Sequence, residues 1–357
     1  MGGKHKFGII GLGAIAGIHA AALREMDNAE LTAVFDTIPA YAAAFAEKHG
    51  GRPYNDLESF LKCPEIEFVT ITTPSALHQD AAIASALAGK HIIVEKPLEI
   101  SQERCERIIR VAEKSKVLLS GIFQSRFFNG SRKIREALDQ GRFGKIILCD
   151  AYIKWYRSQE YYDSGAWRGT KEMDGGGALM NQAIHAIDLL LWFCGDVKEV
   201  SCRSATLAHE RINVEDVLVS TLVFENGAMG TVEASTAVWP GAPKRIELLG
   251  TRGSVVMEEE NLVCWNFADQ RPEDEEIRNQ FSNISSIGGA SEPMGINPEG
   301  HRRQFEDCIR SVETGRKPLI DGRSAAKAVA LVEAMYKSAA TGGKPWSIRS
   351  SAEDSGA

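Results

Sequence analysis

The feature that most restricts the fold lies at the start of the chain. Lys6 to Ile10 reads as a strand and runs directly into Gly11-Leu12-Gly13-Ala14-Ile15-Ala16, followed by the helical stretch IHAAALREM. A G-x-G-x-x-A pattern between a strand and a helix is the phosphate turn of a dinucleotide-binding βαβ unit. Gly11 permits the tight turn, and Gly13 lets the backbone approach a pyrophosphate. Ala16 lets helix and strand pack closely. The helix start at Ala14 and Ile15 offers free N–H groups and the positive end of the helix dipole. The second strand, Leu31 to Phe35, ends in Asp36, 25 residues after Gly11. A carboxylate at about that spacing binds the adenosine ribose hydroxyls. Thr37-Ile38-Pro39 follows, with no Arg at hand for a 2′-phosphate. The pattern therefore predicts NAD rather than NADP, with Asp36 and Thr37 at the ribose.

The alternation continues. Phe68 to Thr72 reads as a buried strand opening into Thr73-Pro74-Ser75 and a helix that starts near His78. Thr73 and Pro74 should line the cofactor crevice. His78 either faces the cofactor or lies in the first helical turn. Ile92-Ile93-Val94 is an unbroken apolar run, as in a parallel strand covered on both faces. It ends in Glu95-Lys96-Pro97. Ligands of open α/β sheets bind beyond the carboxyl ends of strands, so Lys96 should stand at the rim of the sheet, aimed by Pro97. Ser101 caps a helix from Gln102 to Lys114, and Val117 to Ile122 forms a last strand before Gln124. Together these predict a Rossmann-type doubly wound parallel sheet over residues 1–124.

Composition excludes several classes. Hydrophobic residues make up 44% and charged residues 25% of the 357, so a packed chain is expected. Net charge is −7 and no basic patch occurs, which argues against nucleic acid. Seven Cys residues are scattered without a CxxC, so neither a disulfide framework nor a zinc site is expected, and no metal is assigned. No run approaches about 18 apolar residues, so no membrane span is expected. The apolar start reads as a first strand rather than a leader. A cytoplasmic protein is the resulting expectation.

Residues 125–348 read differently. A helix over 127–140 precedes a strand over 145–156, and further strands are predicted at 197–208, 215–225, 228–238, 244–250, 253–258 and 261–267. Turn signals such as Glu225-Asn226-Gly227 separate several of them. Such spacing predicts an α+β domain with a large, mostly antiparallel open sheet. Residues 268–299 read as a long polar excursion, 301–314 and 323–340 as helices, and 349–357 as a disordered tail. Within this domain sits Asp174-Gly-Gly-Gly-Ala-Leu-Met-Asn181-Gln-Ala-Ile-His185-Ala-Ile-Asp188. Asn181 and His185 are four apart and share a helix face, with Asp188 beside it. The stretch from Trp155 to Arg168 is dense in aromatics and Arg. Aromatic faces suit a pyranose and Arg suits carboxylate or phosphate, which makes Arg157, Tyr161 and Tyr162 substrate candidates. His301 is a weaker one.

GLGAIA, Asp36, TTPSALH and EKPL together resemble the Gfo/Idh/MocA oxidoreductases, the glucose–fructose oxidoreductase and inositol dehydrogenase group, over nearly the whole chain. The resemblance implies that Lys96 of EKP and His185 are the catalytic pair. It also implies that Glu95, Lys96, Gln124, Trp167 and Arg168 adjoin the cofactor, and that Lys96, Asn181 and His185 adjoin the substrate. Inositol dehydrogenase-like members carry Asp where this chain has Asn181. Asn can bond a sugar hydroxyl but cannot act as acid or base.

The expected activity is hydride transfer between NAD(H) and a ring hydroxyl or keto group of a sugar, glycoside or sugar derivative, with C3 the first choice. Either His185 or Lys96 can take the proton. Two other readings stand beside it: a redox-neutral NAD-dependent glycosidase, and a sugar-sensing regulator without catalysis. A homodimer or homotetramer through the C-terminal sheets is expected.

Overall fold

The computed structural model describes residues 3–282 and 297–348; the proposed tail, and residues 283–296 of the polar excursion, lie outside them. The chain divides into two compact units. The first comprises 1–124, 172–175 and 296–329, and the second 125–171, 176–295 and 330–357.

In the first unit the elements alternate: β1 (His5–Ile10), α1 (Ala14–Arg24), β2 (Ala29–Phe35), α2 (Pro39–His49), β3 (Arg52–Tyr54), α3 (Leu57–Leu61), β4 (Phe68–Ile71), α4 (His78–Leu87), β5 (His91–Val94), α5 (Gln102–Ser115) and β6 (Leu119–Gly121). Their order in the sheet is β3-β2-β1-β4-β5-β6, and every pairing is parallel. The order reverses beside β1, between β2 and β4, and such a switch point opens the crevice in which dinucleotides bind. Strand β4 is buried on both faces, Thr70 included, and β5 is buried from Ile92 to Val94, as in a parallel sheet covered by helices on both sides. Helix α5 buries Cys105, Ile108, Ile109 and Ala112, a stripe at helical spacing, and its Ser101 cap accepts from the Arg104 amide.

The second unit holds α6 (Asn129–Asp139), β7 (Ile146–Lys154), a short α7 (Gln159–Asp163), a π-helical turn over Ala178–Ala183 and α8 (Ile184–Cys194). There follow β8 (Val197–Ala205), β9 (Val217–Phe224), β10 (Met229–Ser235), β11 (Arg245–Gly250), β12 (Gly253–Glu258), β13 (Asn261–Phe267) and α9 (Pro272–Phe281). The sheet order is β13-β12-β11-β7-β10-β9-β8-β14, with β14 being Trp346–Ser347. All pairings are antiparallel except β7 with β10. Period-two alternation buries Cys149, Ala151, Leu218, Leu222, Val232, Ala234, Ile246 and Leu248 on one face. The other face leaves Leu148, Val219 and Met229 at 39%, 50% and 56% exposure.

The division is not a single cut after residue 124. Helix α10 (Glu299–Thr314) turns His301, Phe305, Cys308 and Ile309 inward, and Phe305, Cys308 and Ile309 join Phe7, Phe68, Ile93 and Ile122 in one buried cluster. Burying each such side chain contributes about 1.5–3 kcal/mol, so the late helix belongs with the early sheet. The following α11 (Gly322–Ala340) spans both units by residue number. Part of the excursion is also ordered: α9 starts on Pro272, with Glu273, Asp274 and Glu275 in its first turn.

Candidate active site

In the first unit the dinucleotide turn is built as its residues require. Gly11 has φ +85°, and a Cβ there would lie 2.8 Å from the Thr73 amide nitrogen. Only glycine supports both that backbone and that approach. The Thr72 hydroxyl donates to the Gly11 carbonyl at 2.5 Å and so braces the turn. Gly13 precedes α1 without a side-chain cap, and a Cβ at Gly13 would meet nothing within 4 Å. The first N–H groups of α1, at Ala14 and Ile15, are therefore offered to an open face, the arrangement that binds phosphate. Ala16 is fully buried against the core. Asp36 spans the turn: Oδ2 accepts from the Leu12 amide at 3.0 Å and Oδ1 from the Ile38 amide at 2.9 Å. The half-buried carboxylate is thus fixed, and each oxygen retains a lone pair. Thr37 beside it is exposed.

Two buried acceptors in this unit, Thr73 Oγ1 and Gln124 Oε1, have no hydrogen-bond partner among the described residues. Buried polar groups normally find partners. An open helix N-terminus, a fixed acid just after β2 and two orphaned oxygens fit a dinucleotide. Pro74, next to Thr73, is half-buried.

Lys96 follows β5 and is half-buried. Its backbone is pinned on both sides. The Lys96 amide donates to Glu95 Oε2 at 3.0 Å. The Pro97 carbonyl lies 2.8 Å from His78 Nδ1, and His78 Nε2 lies 3.0 Å from the Thr73 carbonyl. His78 therefore resolves towards the structural alternative: it is fully buried and ties the loop after β5 to the loop after β4. Burial pushes its imidazole down, opposed by the Pro97 carbonyl and the Glu99 carboxylate. Glu95 also departs from the cofactor-facing expectation. Its carboxylate is buried, with Oε1 between His19 and His301 and Oε2 on the Lys96 amide. The same contacts remove His301 from the substrate candidates.

In the second unit the Arg and aromatic residues gather around one amide. Gln182 Oε1 accepts from Arg157 Nη2 at 2.9 Å, and Gln182 Nε2 donates to Asn181 Oδ1 at 2.7 Å and to Tyr161 Oη at 3.2 Å. Arg168 Nη1 donates to the same Tyr161 hydroxyl at 2.8 Å, and its guanidinium lies 4.5 Å from the centres of both the Tyr161 and Trp167 rings. The buried Arg157 guanidinium sits 5.2 Å from the Trp155 ring and 5.5 Å from that of Tyr161. Burial lowers its pKa, with the Tyr161 and Tyr162 hydroxyls opposing. Gln182, the hub, was not among the residues predicted; its adjacency to Asn181 was the available signal. Tyr162 does not join the cluster as a ligand-facing group. It is buried, its hydroxyl pairs with Thr236 Oγ1 at 2.8 Å, and its ring packs edge-on against His209.

Asn181 lies in the π-helical turn and His185 one turn on, in the first turn of α8. A π turn closes by i→i+5 bonds, so four residues still return the chain to nearly the same side, and both side chains are half-buried. The glycine run makes this turn possible. A Cβ at Gly176 would sit 2.1 Å from the Tyr336 hydroxyl, and one at Gly177 would sit 1.9 Å from the Glu215 carbonyl. Glu215 then closes the turn's start, accepting from the Gly177 and Leu179 amides and from the Tyr336 hydroxyl. Burial raises its pKa against those donors. Asp188 is not a site residue. It is fully buried, and its two oxygens accept from Arg126 Nε and Nη2 at 2.8 and 2.6 Å.

A six-stranded parallel sheet with a dinucleotide turn, and a separate open-sheet unit bearing a His and an Arg–aromatic cluster, define a two-unit nucleotide-dependent oxidoreductase. Comparison with known proteins makes the class specific. Residues 5–123 match the oxidoreductase family, NAD-binding Rossmann fold, and residues 131–256 match the GFO/IDH/MocA C-terminal domain. The chain belongs to the Gfo/Idh/MocA oxidoreductase family. It is similar to the WlbA dehydrogenase of Chromobacterium violaceum, solved with NADH and UDP-GlcNAcA. The two are 33% identical, with 98% of this chain and 97% of that one covered and a TM-score of 0.88. The Bordetella pertussis WlbA dehydrogenase, solved with the same two ligands, is 32% identical over 97% of this chain and 99% of its own, with a TM-score of 0.86. Myo-inositol 2-dehydrogenase of Thermotoga maritima is 26% identical over 93% of this chain and 96% of its own. Among the described residues no helix is long and apolar enough to cross a membrane.

Proposed function

We propose that this chain is an NAD(H)-dependent dehydrogenase or reductase acting on a ring hydroxyl or keto group of a sugar derivative that bears an acidic group, with C3 the reacting carbon. The observation that carries the substrate class is the Arg157–Gln182–Asn181 network, joined by Arg168 through Tyr161. Two guanidinium groups among aromatic rings suit an anionic sugar better than a neutral polyol. The WlbA relatives, solved with NADH and UDP-GlcNAcA, support the same class.

Bound NAD supplies the hydride acceptor. The residues of the chain do the rest. His185 takes the hydroxyl proton in oxidation and returns it in reduction, since an imidazole has an ordinary pKa near 6.5. Lys96 offers its ammonium to the reacting oxygen and stabilises alkoxide character. Asn181 bonds a neighbouring hydroxyl, Gln182 holds Asn181 and Arg157 in place, and the guanidinium groups hold the acid. The test is absorbance at 340 nm with NAD and a panel of sugars, sugar acids and nucleotide sugars, UDP-GlcNAcA included. The reading expects NADH to accumulate with at least one anionic cyclic sugar. Product formed without net NADH would instead establish a redox-neutral reaction.

Cofactor choice follows from Asp36. A fixed carboxylate repels a 2′-phosphate, so kcat/KM should favour NAD over NADP by roughly tenfold or more, about 1.4 kcal/mol. Asp36→Ala should narrow that ratio. Equal efficiency with NADP in the unaltered protein contradicts the assignment.

The outer face of the eight-stranded sheet, with Leu148, Val219 and Met229 exposed, is proposed as the contact of a homodimer or homotetramer. Light scattering at micromolar concentration should return a dimer or larger, and a monomer would remove the proposal.

A further inference from the structure

Directly before Lys96 lies a buried cluster that the proposed chemistry leaves unused. His19 of α1 and His301 of α10 both turn Nε2 towards Glu95 Oε1, at 2.9 and 3.3 Å. The imidazole centres are 5.1 Å apart, and all three side chains are buried. Glu95 Oε2 takes the Lys96 amide at 3.0 Å. We infer that Glu95, held by His19 and His301, is the positioning group for Lys96. This rests on the proposed role of Lys96.

The protons can be placed. Neither His19 Nδ1 nor His301 Nδ1 has a partner among the described residues. A neutral imidazole carries one N–H, and only Nε2 has an acceptor, so each ring donates there. A second proton would create a buried donor with nothing to receive it, which costs free energy. Burial also lowers the His19 imidazole, against its bond to Glu95. For Glu95 itself, burial pushes the carboxyl up, but the two imidazole donors outweigh it and hold the group well below the usual carboxylate range. The result is a fixed anion that accepts charge-assisted bonds from two helices and from the backbone of Lys96. With Glu95 N–H on the Ile71 carbonyl and Pro97 O against His78, the direction of the Lys96 side chain is set from both sides.

The same three side chains bring potential metal ligands within 4.8 Å of one another. Two features favour hydrogen bonding. The two nitrogens approach Glu95 Oε1 directly, at 2.9 and 3.3 Å, at or close to hydrogen-bond length. Metal-bound histidines almost always donate their other N–H to an acceptor, and neither Nδ1 has one.

The experiment uses the full chain carrying Glu95→Gln, His301→Phe or His301→Gln, with Lys96→Ala as reference. The readouts are kcat with the best sugar, NADH affinity by fluorescence, melting temperature and metal content. Glu95→Gln, nearly isosteric, should lower kcat about tenfold or more, because a misplaced catalytic group costs on that scale. NADH affinity should stay within about threefold. His301→Phe should do the same, and His301→Gln, which keeps an N–H donor, should recover most of the loss. If His301→Phe does not fold, Glu95→Gln and His301→Gln carry the test. The inference is overturned if Glu95→Gln changes kcat by less than about fivefold. It is equally overturned if kcat and NADH affinity fall together, or if the purified protein holds stoichiometric metal that His301→Phe releases. If Lys96→Ala abolishes turnover and Glu95→Gln does not, this inference alone fails. If Lys96→Ala retains turnover, the proposed role of Lys96 fails.

Discussion

Lys96→Ala and His185→Ala should each lower kcat by roughly 100-fold or more, the usual size of a general acid/base or electrostatic contribution. Both variants should bind NADH much as the parent does. The Gly11 to Ala16 turn and Asp36, proposed to hold the phosphates and the ribose, are untouched by either change. The two losses should also differ in kind. Lys96 contributes charge, so Lys96→Arg should recover part of the rate. His185 contributes a titratable proton, so His185→Gln should not. Stopped-flow absorbance at 340 nm separates chemistry from product release in each case. Near-normal turnover by Lys96→Ala, with every sugar the parent oxidises, would remove Lys96 from the mechanism.

Arg126→Ala should destabilise the protein by about 3–5 kcal/mol, because it strands a buried carboxylate. Asp188 is fully buried in α8, and Arg126 donates to both of its oxygens. Burial already raises the Asp188 carboxyl, with Arg126 opposing. Without the guanidinium, Asp188 must either take up a proton or remain an uncompensated ion. His185 stands three residues earlier on the same helix, so its placement should suffer too. The double variant Arg126→Met/Asp188→Leu should recover most of the stability, since apolar replacement of a buried pair is often close to neutral. Urea denaturation of the two variants checks the pair. Equal losses in single and double variants would mean that packing around the site, not the stranded charge, sets the cost.

The parts of the fold visible in the sequence were those written in local pattern. Strand, glycine turn and helix from Lys6 onward are contiguous, and so are Leu31 to Asp36 and Ile92 to Lys96. Period-two strands in the second unit fell within a few residues of their observed ends, because turn signals such as Glu225-Asn226-Gly227 bracket them. What stayed hidden depends on distance along the chain. The stripe His301, Phe305, Cys308 and Ile309 announces a packed face, yet nothing local says that it packs with Phe7 and Phe68. The EKPL resemblance implies Glu95 as a cofactor neighbour, and nothing local announces its buried partners, which lie 76 and 206 residues away. Tyr162 sits in a loop rich in apparent ligand groups, and only the Thr236 contact shows that its hydroxyl is taken. The π turn over 178–183 reads as α-helix, since Asn181 and His185 share a side in either geometry. Helix α9 was legible in principle. Pro272 and three acids mark its start, but its few apolar residues left a polar excursion as the simpler expectation.

The central claim is direct hydride transfer from a sugar ring carbon, and isotope transfer tests it most directly. An anionic sugar substrate deuterated at C3 is incubated with the enzyme and NAD, and the NADH formed is analysed by mass spectrometry. The account predicts one deuterium per NADH, carried on the nicotinamide ring, and loss of the product with Lys96→Ala. NADH that gains no deuterium from any labelled ring position would contradict it.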